Sequence, residues 1–258
     1  MKSLDFFNKI SSKTQSLNRN ESHLLKYILE NSNEVLNMKI HDLSSKAFIS
    51  TASIIRFCKK LGFNGYSEFK ANLAMSLKSK DNDRANLQLD NISLIDAINK
   101  SINLINDNVI DQIIDIMHNA DVIHFYGEGS SRNLCRESSR HFQLLGKNCH
   151  YFDDTSIMYA SASQLSENSI VFAISMSGET QQIIKASNIA KANNAKVISL
   201  TNVGCNTLSN LSDMSLFIYS IRYNMNNFSF VSRHTASMLM EYIFFKYLKK
   251  YHEIDELK

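Results

Sequence analysis

The residues best suited to hold an anion lie in one hexapeptide, Ser175-Met176-Ser177-Gly178-Glu179-Thr180. Ser175, Ser177 and Thr180 bring neutral hydroxyl donors. Gly178 lets the backbone approach a ligand closely, and Glu179 suits the dipole of a helix beginning there. Such a set can surround a phosphate group. Gly127-Glu128-Gly129-Ser130-Ser131 has the same character, and further polar clusters stand at Asp153 to Ser156 and Thr201 to Asn206. A Ser/Thr/Gly cluster also describes an ordinary cap and turn, so its meaning depends on the elements that present it.

Those elements are legible. Ile170 to Ile174 is an unbroken apolar run, too short for a helix, and reads as a strand buried on both faces of a parallel sheet. Ile183, Ala186 and Ala190 then repeat with helical period. Strands are predicted at Val122 to Tyr126, Cys149 to Phe152, Val197 to Leu200 and Met214 to Tyr219. Helices are predicted from Arg132 to about Leu145, near Ile157 to Leu165, and over Phe230 to Leu248. Strands alternating with helices make a doubly wound parallel five-stranded α/β sandwich. In flavodoxin-like order, all four polar clusters meet at the carboxyl ends of the strands, where such folds bind ligands.

Gly127-x-Gly129 after a first strand also suits a dinucleotide, with Asp153 as the ribose acid. The third glycine of that fingerprint would fall at Arg132, whose side chain obstructs the close helix packing the motif needs. A small phosphorylated ligand fits better. Catalysis would need a general base. Glu128, Glu179, His141 and His234 are candidates, but no motif places any of them in that role, so no catalytic residue is assigned. Arg233, at the start of the last helix, is placed to reach a ligand or partner, but a surface ion pair is the expectation.

The N-terminal third differs. Residues 1–80 carry 13 Lys+Arg against 6 Asp+Glu, an excess of +7, whereas the remainder carries 15 against 19, or −4. A basic module followed by a mildly acidic one suggests that only the first meets an anionic surface. Residues 1–15 read as a polar arm. Leu24, Leu25, Ile28 and Leu29 mark an amphipathic helix ending near Asn31 to Asn33, followed by a turn at Val35 to Met38. A helix from Ile40 to Ala47, three residues, and a basic helix from Thr51 to Leu61 form a helix-turn-helix pattern, with Ser50 as cap and Gly62 as stop. Ile54, Phe57 and Leu61 point inward. Thr51, Ser53, Ile55, Arg56, Lys59 and Lys60 are left for bases and phosphates. Tyr66 to Leu77 closes the domain, and the polar residues 79 to 91 read as a linker before helices at Ile92 to Ile105 and Val109 to Met117.

Composition excludes several classes. No apolar run approaches the ~18 to 20 residues of a membrane span, and Met1 to Lys13 is interrupted by Asp5, Asn8 and Lys9, so a cytoplasmic protein is expected. Cys58, Cys135, Cys149 and Cys205 are scattered without metal-ligand spacing and are expected to be buried and reduced. No metal and no cofactor is called for.

Gly127-x-Gly129-x-Ser131 together with Ser175-x-Ser177-Gly178-Glu179-Thr180 resembles the sugar isomerase (SIS) domain, a phosphosugar-binding α/β fold. Tyr27 to Asn31 and Ile54-Ile55-Arg56-Phe57-Cys58-Lys59-Lys60-Leu61-Gly62-Phe63 resemble the helix-turn-helix domain of RpiR transcription regulators. The resemblance runs from about residue 16 to about residue 248. It implies a helix-turn-helix DNA-binding domain at 1–78, a linker and connecting helix at 79–106, and a SIS domain at 107–258. It also implies an effector phosphosugar held at Gly127, Gly129, Ser130, Ser131, Ser175, Ser177, Gly178 and Thr180. Operator DNA would be met by Ser50, Thr51, Ser53, Ile55, Arg56, Lys59 and Lys60, in a homodimer or homotetramer. The alternative is a phosphosugar isomerase with an accessory helical domain. Two departures stand out: Phe48 occupies a turn position that often carries glycine, and Ile55 one that often carries serine.

Overall fold

The computed structural model describes residues 16–78, 89–225 and 228–252, with Ile10 and Lys13. The proposed arm and linker fall largely outside them, although Ile10 is helical and fully buried. Two compact units form, one of residues 1–104 and 203–205, the other of residues 105–202 and 206–258.

The first unit is helical: α1 (Arg19–Glu30), α2 (Ser32–Asn37), α3 (Ile40–Ala47), α4 (Thr51–Lys60), α5 (Tyr66–Lys78) and α6 (Leu89–Ile102). A capping box starts α1, with the Glu21 N–H donating to Asn18 Oδ1 (2.9 Å) and the Asn18 N–H to the Glu21 carboxylate (2.8 Å). Leu24, Leu25, Ile28 and Leu29 are buried, as are Leu43, Ala47, Ile54 and Phe57. Phe69 meets Phe57 and Phe63 edge-on at 5.9 and 5.4 Å. Gly62 takes φ +86°, as the expected helix stop. The turn expected at Val35 to Met38 is instead largely the short helix α2, because Val35 is drawn fully into the core and its N–H reaches the Asn31 carbonyl. Lys100, buried in α6, ion-pairs with Asp96 at 2.8 Å and donates to the Leu29 carbonyl at 2.9 Å. That bond fastens α6 to the carboxyl end of α1, where a cation suits the helix dipole.

The second unit runs α7 (Asp107–Asn119), β1 (Val122–Gly127), α8 (Ser131–Leu144), β2 (Cys149–Tyr151), α9 (Thr155–Ala162), β3 (Ser169–Ile174), α10 (Gln181–Ala192), β4 (Lys196–Asn202), α11 (Thr207–Leu211), β5 (Met214–Ile218), a β6–β7 ribbon (Arg222–Met225, Phe228–Val231) and α12 (His234–Tyr251). The sheet is all-parallel in the order β2-β1-β3-β4-β5, the flavodoxin-like order expected. Every residue of β3 is buried, as its unbroken apolar run requires. One face packs Ile113, Ile114 and Met117 of α7, Phe142 of α8 and Leu239 and Ile243 of α12. The other packs Met158, Ile183, Ala190 and Leu208 of α9 to α11.

The main correction lies before α12. Phe230 and Val231, expected in the final helix, belong to an antiparallel ribbon instead. Phe228-Ser229-Phe230-Val231 alternates with period two, and its backbone pairs with the preceding four-residue strand rather than with its own next turn. Cys58, Cys135 and Cys149 are buried and free, and burial pushes the thiols of Cys58 and Cys149 up to about 12. Cys205 is half-exposed because it lies in a loop rather than on a core strand. Among the described residues no helix is long and apolar enough to cross a membrane, and no group of acidic, His and Cys side chains could hold a metal ion.

Candidate functional site

The two anion-suited loops leave neighbouring strands at the same level, since Gly127 of β1 is in register with Ile174 of β3. From there α8 goes to one face of the sheet and α10 to the other. This is the topological switch point, where the diverging helices open a crevice. The structure therefore brings Gly127, Gly129, Ser130 and Ser131 beside Ser175, Ser177, Gly178 and Thr180.

The second loop is preformed. Ser175 is buried, and its hydroxyl lies 2.7 Å from Thr180 Oγ1 and 3.4 Å from Ser177 Oγ and accepts the Gly178 N–H at 3.2 Å. Gly178 has φ +67°, and a methyl group on it would overlap the Asn206 amide. Asn206 caps α11 through the Ser209 N–H (2.8 Å), donates to Thr201 Oγ1 (3.0 Å), and so forms the floor under the loop. On the first loop, a methyl on Gly127 would lie 2.6 Å from Sγ of Cys135 and 3.0 Å from the Ser131 carbonyl, so the glycine permits close helix packing. Gly129 takes φ +56°.

Capping separates these helices from three of their neighbours, although α12, which begins after Arg233, also lacks a side-chain cap from that residue. α7, α9 and α11 begin with side chains, Asn106, Asp154 and Asn206, that bond their first-turn N–H groups. α8 and α10 begin at Ser130 and Thr180, neither of which caps its own helix. Helix N-termini left without a side-chain cap at a crevice suit an anion.

In the helical unit, Phe48 ends α3 in the left-handed conformation, φ +53°. Ser50 then caps α4, accepting the Ser53 N–H at 3.2 Å, and Arg56 donates to Ser53 Oγ at 3.1 Å. Arg56, Lys59 and Ile55 are exposed, and Thr51 and Ser53 are half-exposed beside them. Lys60 turns aside to an ion pair with Glu21 at 2.7 Å.

Residues 4–80 match the helix-turn-helix domain of the rpiR family, and residues 116–246 match the SIS domain. The chain belongs to the rpiR family. It is 28% identical to an uncharacterized HTH-type transcriptional regulator of Caldanaerobacter subterraneus over 93% of this chain and 90% of that one. It is 28% identical to the HTH-type transcriptional regulator GlvR of Bacillus subtilis over 79% of each. The structure of the Vibrio vulnificus NanR protein complexed with ManNAc-6P superposes with a TM-score of 0.59 at 27% identity, covering 95% of this chain and 92% of that one.

In this RpiR-type transcription regulator most of the candidate bases have structural partners. Glu128 pairs with Arg132 (2.7 Å) and accepts from Thr155 Oγ1 (2.6 Å), tying the first loop to α9. Glu179 lies before α10 rather than in its first turn, and accepts the Thr207 N–H (2.9 Å) and hydroxyl (2.7 Å). His141 stacks on Phe244 at 5.0 Å, and His234 stands exposed at the start of α12. Arg233 is half-buried rather than in a surface ion pair: one guanidinium nitrogen donates to the Val231 carbonyl, Nε is buried without a partner, and burial pushes its pKa down. The first turn of α12 reaches the phosphate-suited loop through Thr235 and Ser220, whose hydroxyls lie 3.2 Å apart, and Ser220 donates to Met176 Sδ at 3.7 Å. Ser220 is the residue that sequence reasoning missed, whereas Thr155 and Asn206 lie in polar clusters expected at the strand ends, without the partners they take here. Only Asn206 carries a local signal, as the start of an Asn-x-x-Ser cap.

Proposed function

We propose that this regulator binds operator DNA through α4 and that a phosphosugar in the switch-point crevice sets that affinity. The carrying observation is the pair of helix N-termini, α8 and α10, left without side-chain caps behind two hydroxyl-rich loops. Ser131, Ser175, Ser177 and Thr180 hold the phosphate with backbone N–H groups of the loops, while Gly127, Gly129, Ser130 and Gly178 shape its approach. An amino-sugar phosphate heads the list of effectors to try, given the ligand in the Vibrio NanR structure. Ser50, Thr51, Ser53, Ile55, Arg56 and Lys59 read the operator, and Lys60 supports them from its bond to Glu21.

Residues 1–78 form the DNA-binding domain, 79–106 the connection and 107–258 the sensor. The protein acts as a homo-oligomer, since paired half-sites demand paired recognition helices. The effector binds one arrangement of the sensors more tightly and thereby shifts operator affinity, a coupling that is reciprocal.

The test is thermal stability against a panel of sugar phosphates, with the unphosphorylated sugars as controls and Ser177→Ala as the variant. At about a hundred times its dissociation constant, the effector adds on the order of 2.7 kcal/mol. One phosphosugar should stabilise the wild type and not the variant. If none does, the crevice assignment fails.

A further inference from the structure

We propose that Phe48 is a specificity-determining DNA contact, its ring meeting thymine methyl groups beside the recognition helix. The inference rests on the DNA-binding reading above and adds a residue outside the helix that carries it.

The backbone explains the conformation but not the residue. α3 ends in a left-handed turn closed by the Ile49 N–H on the Ser44 carbonyl at 3.1 Å, and Phe48 supplies the positive φ. Glycine meets that demand without strain. Phenylalanine is disfavoured there, and the fold does not compensate by burying it. At 93% exposure Phe48 is the most exposed large apolar side chain among the described residues. A strained, solvent-facing aromatic destabilises the free protein and points to a role outside the fold.

Its neighbours indicate which role. Phe48 borders a cleft of about 370 Å³ with Ser50, Ser53 and Arg56 of the recognition segment and Asn18 and Asn20 at the start of α1. Apart from Leu24 and Ile49 the other walls are polar, the acidic Glu21 among them being paired with Lys60, and residues 1–80 carry the basic excess of +7. Nucleic acid fits such a surface better than an apolar protein partner. Ile55, 39% exposed, offers a second apolar group on α4. In the major groove the apolar feature of a base edge is the thymine methyl, which Phe can contact.

A duplex enriched by the wild-type protein from a random-sequence library serves as probe. Phe48→Gly and Phe48→Asn, both compatible with positive φ, should raise the melting temperature or leave it unchanged while weakening binding to that duplex about tenfold, the scale of one lost base contact. Replacing the contacted thymines by deoxyuridine should weaken the wild type by a similar factor and the Phe48→Gly variant hardly at all, because the two changes remove one interaction. Unchanged affinity in both variants overturns the inference, as does an equal loss on an unrelated duplex. Should the wild type enrich no sequence, the DNA-binding reading itself falls, and this inference with it.

Discussion

Two serine- and threonine-rich segments precede helices in this regulator, and they are wired in opposite ways. Ser50 spends its hydroxyl on its own helix, accepting the Ser53 N–H, and stays exposed. Thr180 does not cap α10 but bonds Ser175, which is buried beneath the loop. The first arrangement stabilises a helix whose outer face works. The second holds a loop rigid while leaving the end of the helix to a ligand. Similar residue types thus become a structural cap in one unit and a candidate anion site in the other, according to which group each hydroxyl meets.

The difference can be broken most severely at Gly178. Gly178→Ala adds a left-handed penalty of about 1 kcal/mol to overpacking of up to about 3 kcal/mol against Asn206. Denaturant unfolding should show a loss of about 2 to 4 kcal/mol in the α/β unit, together with loss of any phosphosugar response. Asn206→Ala in the same background should recover part of the stability.

Acid should separate the units next. His124 is buried on β1, its Nδ1 3.2 Å from the Tyr126 hydroxyl and its ring edge-on to exposed His150 at 5.5 Å. Burial, with a smaller push from His150, lowers its pKa from 6.5 to about 4. Between those values the unfolded chain binds more protons than the folded one, so the stability from keeping His124 neutral is complete above about pH 6.5 and is lost as pH falls towards 4. The loss is on the order of 3 kcal/mol. Melting of the α/β unit followed from pH 7 to 4 should show it, and His124→Gln should flatten the dependence; an unchanged slope would refute this origin.

The two caps provide the direct contrast. Ser50→Ala should cost about 1 kcal/mol in the helical unit, the usual worth of an N-cap. Thr180→Ala should cost less stability yet remove the phosphosugar response, because no helix cap is lost. The reverse ranking in urea melts would mean that the wiring does not govern function. The smallest effect belongs to Lys60→Ala, which breaks a partly exposed pair with Glu21 and should change stability by less than about 1 kcal/mol. A larger fall in DNA affinity would place Lys60 at the DNA as well.

Legibility followed the range of the interactions. The strands, the helix-turn-helix and both hydroxyl loops were readable because period, caps and stops act within a few residues: Ser50 lies three residues from its partner, and Gly62 ends its own helix. The β6–β7 ribbon was missed because each strand is four residues long and pairing, not propensity, makes it. The partners of Glu128 and Glu179 were missed because Thr155 and Thr207 arrive from other strand ends. Arg233 read as a surface ion pair because nothing local announces that the ribbon's Val231 carbonyl would take its guanidinium.

By itself the sequence determined the two kinds of unit, the parallel sheet and the residues offered at the ends of its strands, because apolar period and turn chemistry are local properties. Only the tertiary structure decided which of those residues meet. Gly127 falls in register with Ile174, Asn206 lies under Gly178, and Ser175 bonds Thr180 rather than solvent. The reason is physical: strand pairing and burial choose partners across the chain, and a hydroxyl takes its role from the group that packing brings to it.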